Sequence, residues 1–441
     1  MVLIKMCSLN KFLWTTFLIV NFSYIRAQYT KFEKDYTRKL SALKPFPSCN
    51  MDWCRNTSFT GGVITHLVAT GPKDELHHLF CTIGAPTLMS SRTAIGTHVN
   101  ISYEKLRSPH GAEVISYTSA PEHSFGMVFP NIYEYNDVQD TANLSDYISH
   151  PDSILLHKLT NLDWFVYNKS GDDTYQKMIV NATSSSSNHS LLNEKGYLSF
   201  TIQYDSKDGR LEGRPHMEYT ANSSMVTVVM SDLKTNWPSS RFVLEMVMFS
   251  TENSSVSPAQ TWNATLTNEV KSLDDEYSPG VFKMKNWHAN PNKPREAAWG
   301  YAQWKPVVYT SPARLNADLS TASSYPNLAK DKKYILNVTL PSRSLFTLYF
   351  GADDTSEVSL NATNISYGIT KDKFYTHTKY LTWTMSMGMG PPPEDDVSIL
   401  VILVIAVGLG IPLVLMILSA VYVCVKNIRK KREVVYTPIN E

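Results

Sequence analysis

The side chains with the types and spacing to do chemistry are few. Asp274, Asp275 and Glu276 are the densest carboxylates, set in S-L-D-D-E-Y-S-P-G. Clustered oxygen ligands suit a hard cation, so a calcium loop is one reading, but the spacing matches no EF-hand. Three consecutive side chains cannot share one face of a strand. Two carboxylates across a cleft could hydrolyse a glycosidic bond. Surface acids beside a turn is the simpler reading. His77-His78 and the other histidines are scattered, and polar roles suit them better than a metal site. No nucleophile elbow, phosphate loop, dinucleotide fingerprint or H-E-x-x-H motif occurs, and no cofactor is expected. Trp299, Tyr301, Trp304 and Tyr309 around A-Q-W-K-P-V-V-Y could line a ligand site. Packing between sheets is the stronger expectation, with the polar atoms of the rings finding partners.

The abundant chemistry is that of modification. Twelve Asn-x-Ser/Thr acceptors lie in residues 28–396, at Asn56, Asn100, Asn143, Asn168, Asn181, Asn188, Asn222, Asn253, Asn263, Asn337, Asn361 and Asn364. None has Pro between Asn and the hydroxyl residue. Such positions should sit on loops or solvent-facing strand positions. Asn361 and Asn364 are close enough that both need not be filled.

The elements around these residues define a membrane topology. Residues 397–425 carry no full charge, and roughly 20 apolar residues suffice to cross a bilayer. Glu394, Asp395 and Asp396 precede the run, and Lys426, Arg429, Lys430, Lys431 and Arg432 follow it. The basic side belongs in the cytoplasm. Residues 1–27 read as a signal peptide, with an apolar run from Phe12 to Val20 and a cleavage point after Ala27; an uncleaved anchor is the alternative. The expected domains are therefore a leader at 1–27, an exported glycosylated region at 28–396 as one or two bodies, a membrane helix at 397–425 and a cytoplasmic tail at 426–441. Pro391-Pro392-Pro393 makes a stiff neck before the helix. Ala406 and Gly410 stand one helical turn apart, a spacing that lets another helix approach closely. In the tail, Tyr436-Thr437-Pro438-Ile439 fits tyrosine-x-x-bulky-hydrophobic, an address that clathrin adaptors read as an extended peptide.

The 441 residues carry a formal charge of +1, so nothing suggests a nucleic-acid surface. Cys49, Cys54 and Cys81 remain outside the leader and the membrane helix, which permits one disulfide and leaves one thiol; the pairing stays open. C-x4-C is not a usual zinc spacing. Cys424 is juxtamembrane and could be palmitoylated.

Helical periodicity is almost absent from the exported region. Leu198, Phe200, Ile202 and Tyr204 alternate with polar residues, the period of a half-buried strand. Further strands are expected at Val63–Val68, Leu79–Ile83, Met225–Met230, Phe242–Phe249, Tyr334–Leu340, Leu345–Phe350 and Tyr380–Met385. In the last, Leu381, Trp383 and Met385 should face inward and Thr382 and Thr384 outward. Residues 181–190 and 288–296 read as polar excursions. Many short strands between Gly, Pro, Asn and Ser predict an all-β, sandwich-type region followed by one transmembrane helix.

Three stretches carry a resemblance: S-L-D-D-E-Y-S-P-G-V-F at Ser272–Phe282, A-Q-W-K-P-V-V-Y at Ala302–Tyr309, and Y-L-T-W-T-M-S-M-G-M-G-P-P at Tyr380–Pro392. With the layout of leader, glycan-rich domain, single helix and short tail, the chain resembles the glycosylated lysosomal membrane protein family, as a divergent, invertebrate-type member. It lacks the cysteine pair in the C-terminal half of vertebrate members. The resemblance implies a non-enzymatic role in the lysosomal membrane. It implies an accessory subunit that shields a twelve-helix major-facilitator transporter of dipeptides from lumenal proteases. A tethered lysosomal hydrolase and a cell-surface adhesion or receptor module are the alternatives.

Overall fold

The computed structural model describes residues 37–45, 62–102, 104–107, 113–147, 150–184, 191–251, 266–272, 282–289, 300–326, 340–341, 343–351, 358–390, 392–393 and 399–433. The leader, Cys49, Cys54, the Asp274–Glu276 acids, the strand expected at Tyr334–Leu340 and the tail motif at Tyr436 and Ile439 lie outside these residues. The chain divides into two units, Met1–Pro393 and Glu394–Glu441.

The first unit is a two-layered antiparallel β-structure. In one sheet, Lys39–Leu40 and Lys44–Pro45 flank Ile64–Thr70. Glu75–Cys81, Thr87–Thr93 and His123–Val128 follow in order. Ser240–Thr251 pairs with both His123–Val128 and Asn131–Asn136, and on its other side with Val358–Tyr367. Ile154–Lys158 lies outside Asn131–Asn136. The second sheet runs Leu162–Gly171, Tyr175–Ser184, Leu192–Asp205, Ser223–Leu233 and Tyr380–Met389. Gly300–Trp304, Phe282–Ala289 and Leu266–Ser272 continue it. Leu319–Pro326 belongs to both sheets. Residues 319–321 pair with Val307–Tyr309, and residues 322–326 pair with Val358–Tyr367. That strand folds one sheet into the other and closes one side of the sandwich.

The main core lies between the sheets. Leu76, Phe80, Leu88, Phe125 and Met127 from one layer meet Trp164, Val180, Phe200, Val228 and Trp383 from the other. Phe200 stands at the centre, with ring centroids 5.0 Å from Phe129 and 5.5 Å from Trp164. Burial of each such side chain contributes roughly 1.5–3 kcal/mol. The alternation in Leu198–Tyr204 is the cause: Leu198, Phe200, Ile202 and Tyr204 all enter this core.

The first sheet is buried on its reverse face too. There Cys81, Met89, Val128, Val247 and Phe249 pack against Leu106, Ile115, Leu345, Phe346 and Leu348. Glu75–Cys81 is consequently buried along its whole length.

Three expectations need correction. Leu345–Phe350 is an α-helix, not a strand. Its L-F-T-L-Y-F run has no period-two polarity, and Ser344 and Thr347 form a reciprocal capping box that favours the helical start. Thr382 and Thr384 do point away from the main core, but both are buried rather than solvated. Thr384 shares a 2.9 Å hydroxyl hydrogen bond with Thr227, and an Arg314 guanidinium nitrogen donates to Thr382. The polar excursion expected from Asn181 is strand as far as Ser184, within Tyr175–Ser184; residues 185–190 lie outside the described residues.

The second unit is one helix, Ile399–Glu433, of 35 residues. At 1.5 Å per residue it is about 52 Å long, well beyond a hydrocarbon core of roughly 30 Å. It therefore continues past Val425 into the basic stretch. Gly410–Arg429 has a mean hydropathy of 2.0 and is long enough to span. Near its end the Lys426 ammonium lies 6.0 Å from the centre of the Tyr422 ring, the pairing of an interfacial aromatic with a snorkelling lysine.

Candidate functional site

Two Ser–His contacts have the distances of a nucleophile and its base. Ser90 Oγ lies 2.7 Å from His78 Nδ1, and Ser250 Oγ lies 3.2 Å from His123 Nε2. Neither arrangement can act as one. All four residues are enclosed, and the His78 ring packs against Tyr204 of the opposite sheet. Burial depresses the imidazoles to about 3 for His78 and about 4 for His123, so both are weak bases. A general base needs a pKa near the working pH and access to substrate.

A second histidine pair lies on the reverse face. His66 Nε2 and His77 Nδ1 are 2.9 Å apart with the rings stacked, and Tyr117 meets His77 edge-on. Burial again lowers both, to about 3 for His66 and about 4 for His77; the nearby Glu75 carboxylate opposes the shift on His77. The Tyr117 hydroxyl donates to Ser91, which shares a hydrogen bond with Ser124. Among the described residues, no three His, Cys, Asp or Glu side chains are grouped to hold a metal ion.

Arg241 organises the densest charge cluster. Its side chain is 1% exposed and pairs with Asp137 at 2.5 Å, Asp372 at 2.8 Å and Asp140. Burial raises the Asp137 carboxyl, but Tyr147, the amides of Ala142 and Thr141, and Arg241 outweigh it and hold the group below its ordinary value. Asp372 also accepts from the amides of Ile369 and Phe374. Gly368, at φ +114°, is required here: a Cβ would stand 2.1 Å from an Arg241 nitrogen. The carboxylates are saturated by protein donors, so the cluster fastens two loops to strand Ser240–Thr251. Tyr301, Trp304 and Tyr309 are core residues with no exposed surface, and Trp304 packs edge-on against Trp383.

The sequons are distributed over the sandwich. Asn100 and Asn168 are exposed, and Asn143, Asn181, Asn222 and Asn361 are half-buried. Asn364 is 2% exposed. Asn361 and Asn364 share strand Val358–Tyr367; their odd spacing puts them on opposite faces. Asn222 Oδ1 accepts from Arg38 Nε at 2.7 Å. Asn143 caps a short 3₁₀ turn and donates to Asp146 at 2.9 Å. Asn56, Asn188, Asn253, Asn263 and Asn337 lie outside the described residues. Cys81 is a free, buried thiol, pushed up to about 12 by burial; it forms no bridge. Ala406 and Gly410 are both helical, and a Cβ added at Gly408 or Gly410 would meet nothing within 4 Å.

The histidine pairs and the arginine hub were not legible in the sequence. His66 and His77 meet only through the register of two neighbouring strands, and Arg241 draws its acids from parts of the chain far from it in sequence.

A β-sandwich bearing many glycan acceptors, followed by one apolar helix with a basic inner flank, defines a membrane-anchored glycoprotein. The family model for glycosylated lysosomal membrane protein matches residues 63–430. The chain is 32% identical over 340 residues to glycosylated lysosomal membrane protein A of Xenopus laevis, covering 74% of this chain and 77% of that protein. It is 31% identical over 391 residues to the Danio rerio protein, covering 86% and 87%. The Homo sapiens protein is 26% identical over 336 residues, covering 73% and 74%. The chain belongs to the glycosylated lysosomal membrane protein family. It is a protein of the lysosomal membrane with a large lumenal β domain, and among the described residues one helix is long and apolar enough to span.

Proposed function

We propose that this protein is a non-catalytic accessory subunit that protects a polytopic major-facilitator transporter, of the dipeptide-exporting kind, from lumenal proteolysis. The carrying observation is the membrane helix. A Cβ added at Gly408 or Gly410 would meet nothing within 4 Å among the described residues, and small residues at a helix surface suit close approach by another helix. The glycan-bearing sandwich would cover the partner's lumenal loops. The two Ser–His contacts are enclosed and offer no access to a substrate. Tyr436 and Ile439 would be read by a clathrin adaptor and route the complex to lysosomes.

Affinity capture through a tag on the tail, in mild detergent, tests the reading. A twelve-helix transporter should be recovered in near-equal amount. Loss of this chain should shorten that transporter's half-life without changing its message. An unchanged half-life would sink the proposal, and capture of no polytopic protein would return attention to a lumenal activity.

A further inference from the structure

The long strand Leu162–Gly171 is the open edge of its sheet: among the described residues it pairs only with Tyr175–Ser184. The next segment before it, Ile154–Lys158, is likewise paired on one side only. Four large apolar side chains are exposed on these two strands: Leu155 at 39%, Leu156 at 44%, Phe165 at 42% and Tyr167 at 67%. An open, apolar strand edge is a template for pairing with another copy.

The register of the outer strand is broken at one place. Phe165 faces Asn181 and Val166 faces Val180, but Asn168 faces Ile179, so Tyr167 is an inserted residue. A regular strand would alternate Phe165 out, Val166 in, Tyr167 out and Asn168 in. The insertion turns Asn168 outward instead, onto the face that carries Phe165, Ile179 and Asn181. Val166 remains packed on the core, and Asn168 is exposed. Bulges of this kind re-aim a side chain and end regular pairing at an edge. Both outward asparagines are sequon acceptors, Asn168 in N-K-S and Asn181 in N-A-T. Phe165 thus lies between two attachment points, directly across from one and three residues from the other.

We infer that N-glycans on Asn168 and Asn181 form a roof over Phe165 and Tyr167 that closes this sheet edge against self-association. The amide nitrogen of each Asn attacks the anomeric carbon of a lipid-pyrophosphate-linked oligosaccharide. The C–N bond forms as the C–O bond to pyrophosphate breaks, and the amide loses a proton as the lipid pyrophosphate leaves. The C–H face of the first sugar then covers the aromatic rings. The bulk of the glycan blocks the unpaired amides and carbonyls of the strand. The inference does not depend on the identity of any transporter partner.

The test uses the full-length protein in mild detergent. Glycopeptide mass spectrometry should find Asn168 and Asn181 occupied. An N168Q/N181Q variant should then form a species of about twice the protein mass by light scattering, rising with concentration, whereas N100Q should keep the wild-type mass. Adding F165K to the double variant should restore that mass. Because the double variant could fail to fold, the folded wild-type protein is also deglycosylated enzymatically, and it should self-associate in the same way. An unoccupied Asn168 overturns the inference. So does a deglycosylated protein that keeps its mass at every concentration.

Discussion

At the residue scale, burial decides which polar groups are inert, whether or not a partner is supplied: Trp304 Nε1 and Trp383 Nε1 are enclosed with no hydrogen-bond partner among the described residues. Cys81 sits among Ile64, Leu79 and Met89 on the covered face of the first sheet. Burial raises its thiol and suppresses the thiolate that reacts. Native protein should therefore resist alkylation at Cys81, and unfolding should expose it. Rapid labelling in the native state would contradict the enclosed position. Any disulfide in the exported region should then join Cys49 to Cys54. Asn364 gives a parallel expectation. Its sequon satisfies the motif, but its side chain is enclosed on strand Val358–Tyr367. The peptide containing it should be recovered without a glycan at Asn364. Arg241 differs because its partners are ionised. Replacing it with Met would leave the Asp137, Asp140 and Asp372 carboxylates clustered with no cation between them. A loss of about 3–5 kcal/mol in unfolding free energy is expected, measured by denaturant titration. The conservative Arg241→Lys change should recover only part of it, because a single ammonium cannot reproduce the forked geometry.

At the element scale, the sequence was legible wherever local pattern and burial agree. Leu198–Tyr204 and Tyr380–Met385 show period-two polarity, and both lie within observed strands, as does the apolar run Met225–Met230. Burial on both sides erases that polarity; the run Phe242–Phe249 still reads as a strand and is one, whereas the reading failed for one buried helix. Leu345–Phe350 has no polar face, because its buried residues pack beneath a sheet that is itself covered. Its cap was the readable signal: Ser344, three residues before Thr347. The Ser344→Ala change should cost about 1 kcal/mol, seen as a lower thermal midpoint. The bulge at Tyr167 was illegible for a different reason. An inserted residue leaves no mark in composition, and only the paired register reveals it. The membrane helix was the most legible element of all, since a bilayer imposes a length and forbids charge. Its basic extension through Glu433 is helical too, where charge alone had suggested a tail.

At the scale of the whole molecule, the histidines set the response to acid. His66, His77, His78 and His123 are all lowered by burial, to between about 3 and about 4. The unfolded chain binds protons at these four sites from pH 6.5 downward, and the folded chain does not. Stability on this account is greatest above pH 6.5 and falls as pH drops toward about 4. Each group contributes on the order of 2 kcal/mol of that loss at pH 5. Burial raises the Glu245 and Asp205 carboxyls, and these oppose the trend, because the folded state takes up their protons first. Two carboxyls with four buried histidines against them leave a net loss. The carboxylates held low, Glu134 and Asp137, keep their contribution until pH falls below the ordinary carboxylate range. Thermal midpoints of the full-length protein should decline between pH 7 and pH 5. His78→Gln and His123→Gln together should flatten the slope even though they lower the midpoint at pH 7. A midpoint that is level or rising toward pH 5 would show that these imidazoles are already charged in the folded state. Proton uptake by these four imidazoles on unfolding thus works against the sandwich in an acidic lumen. A partner that binds only the folded form offsets that loss by mass action. If the proposed transporter is such a partner, this protein should be degraded faster in acidic lysosomes that lack it, and raising lysosomal pH should narrow the difference.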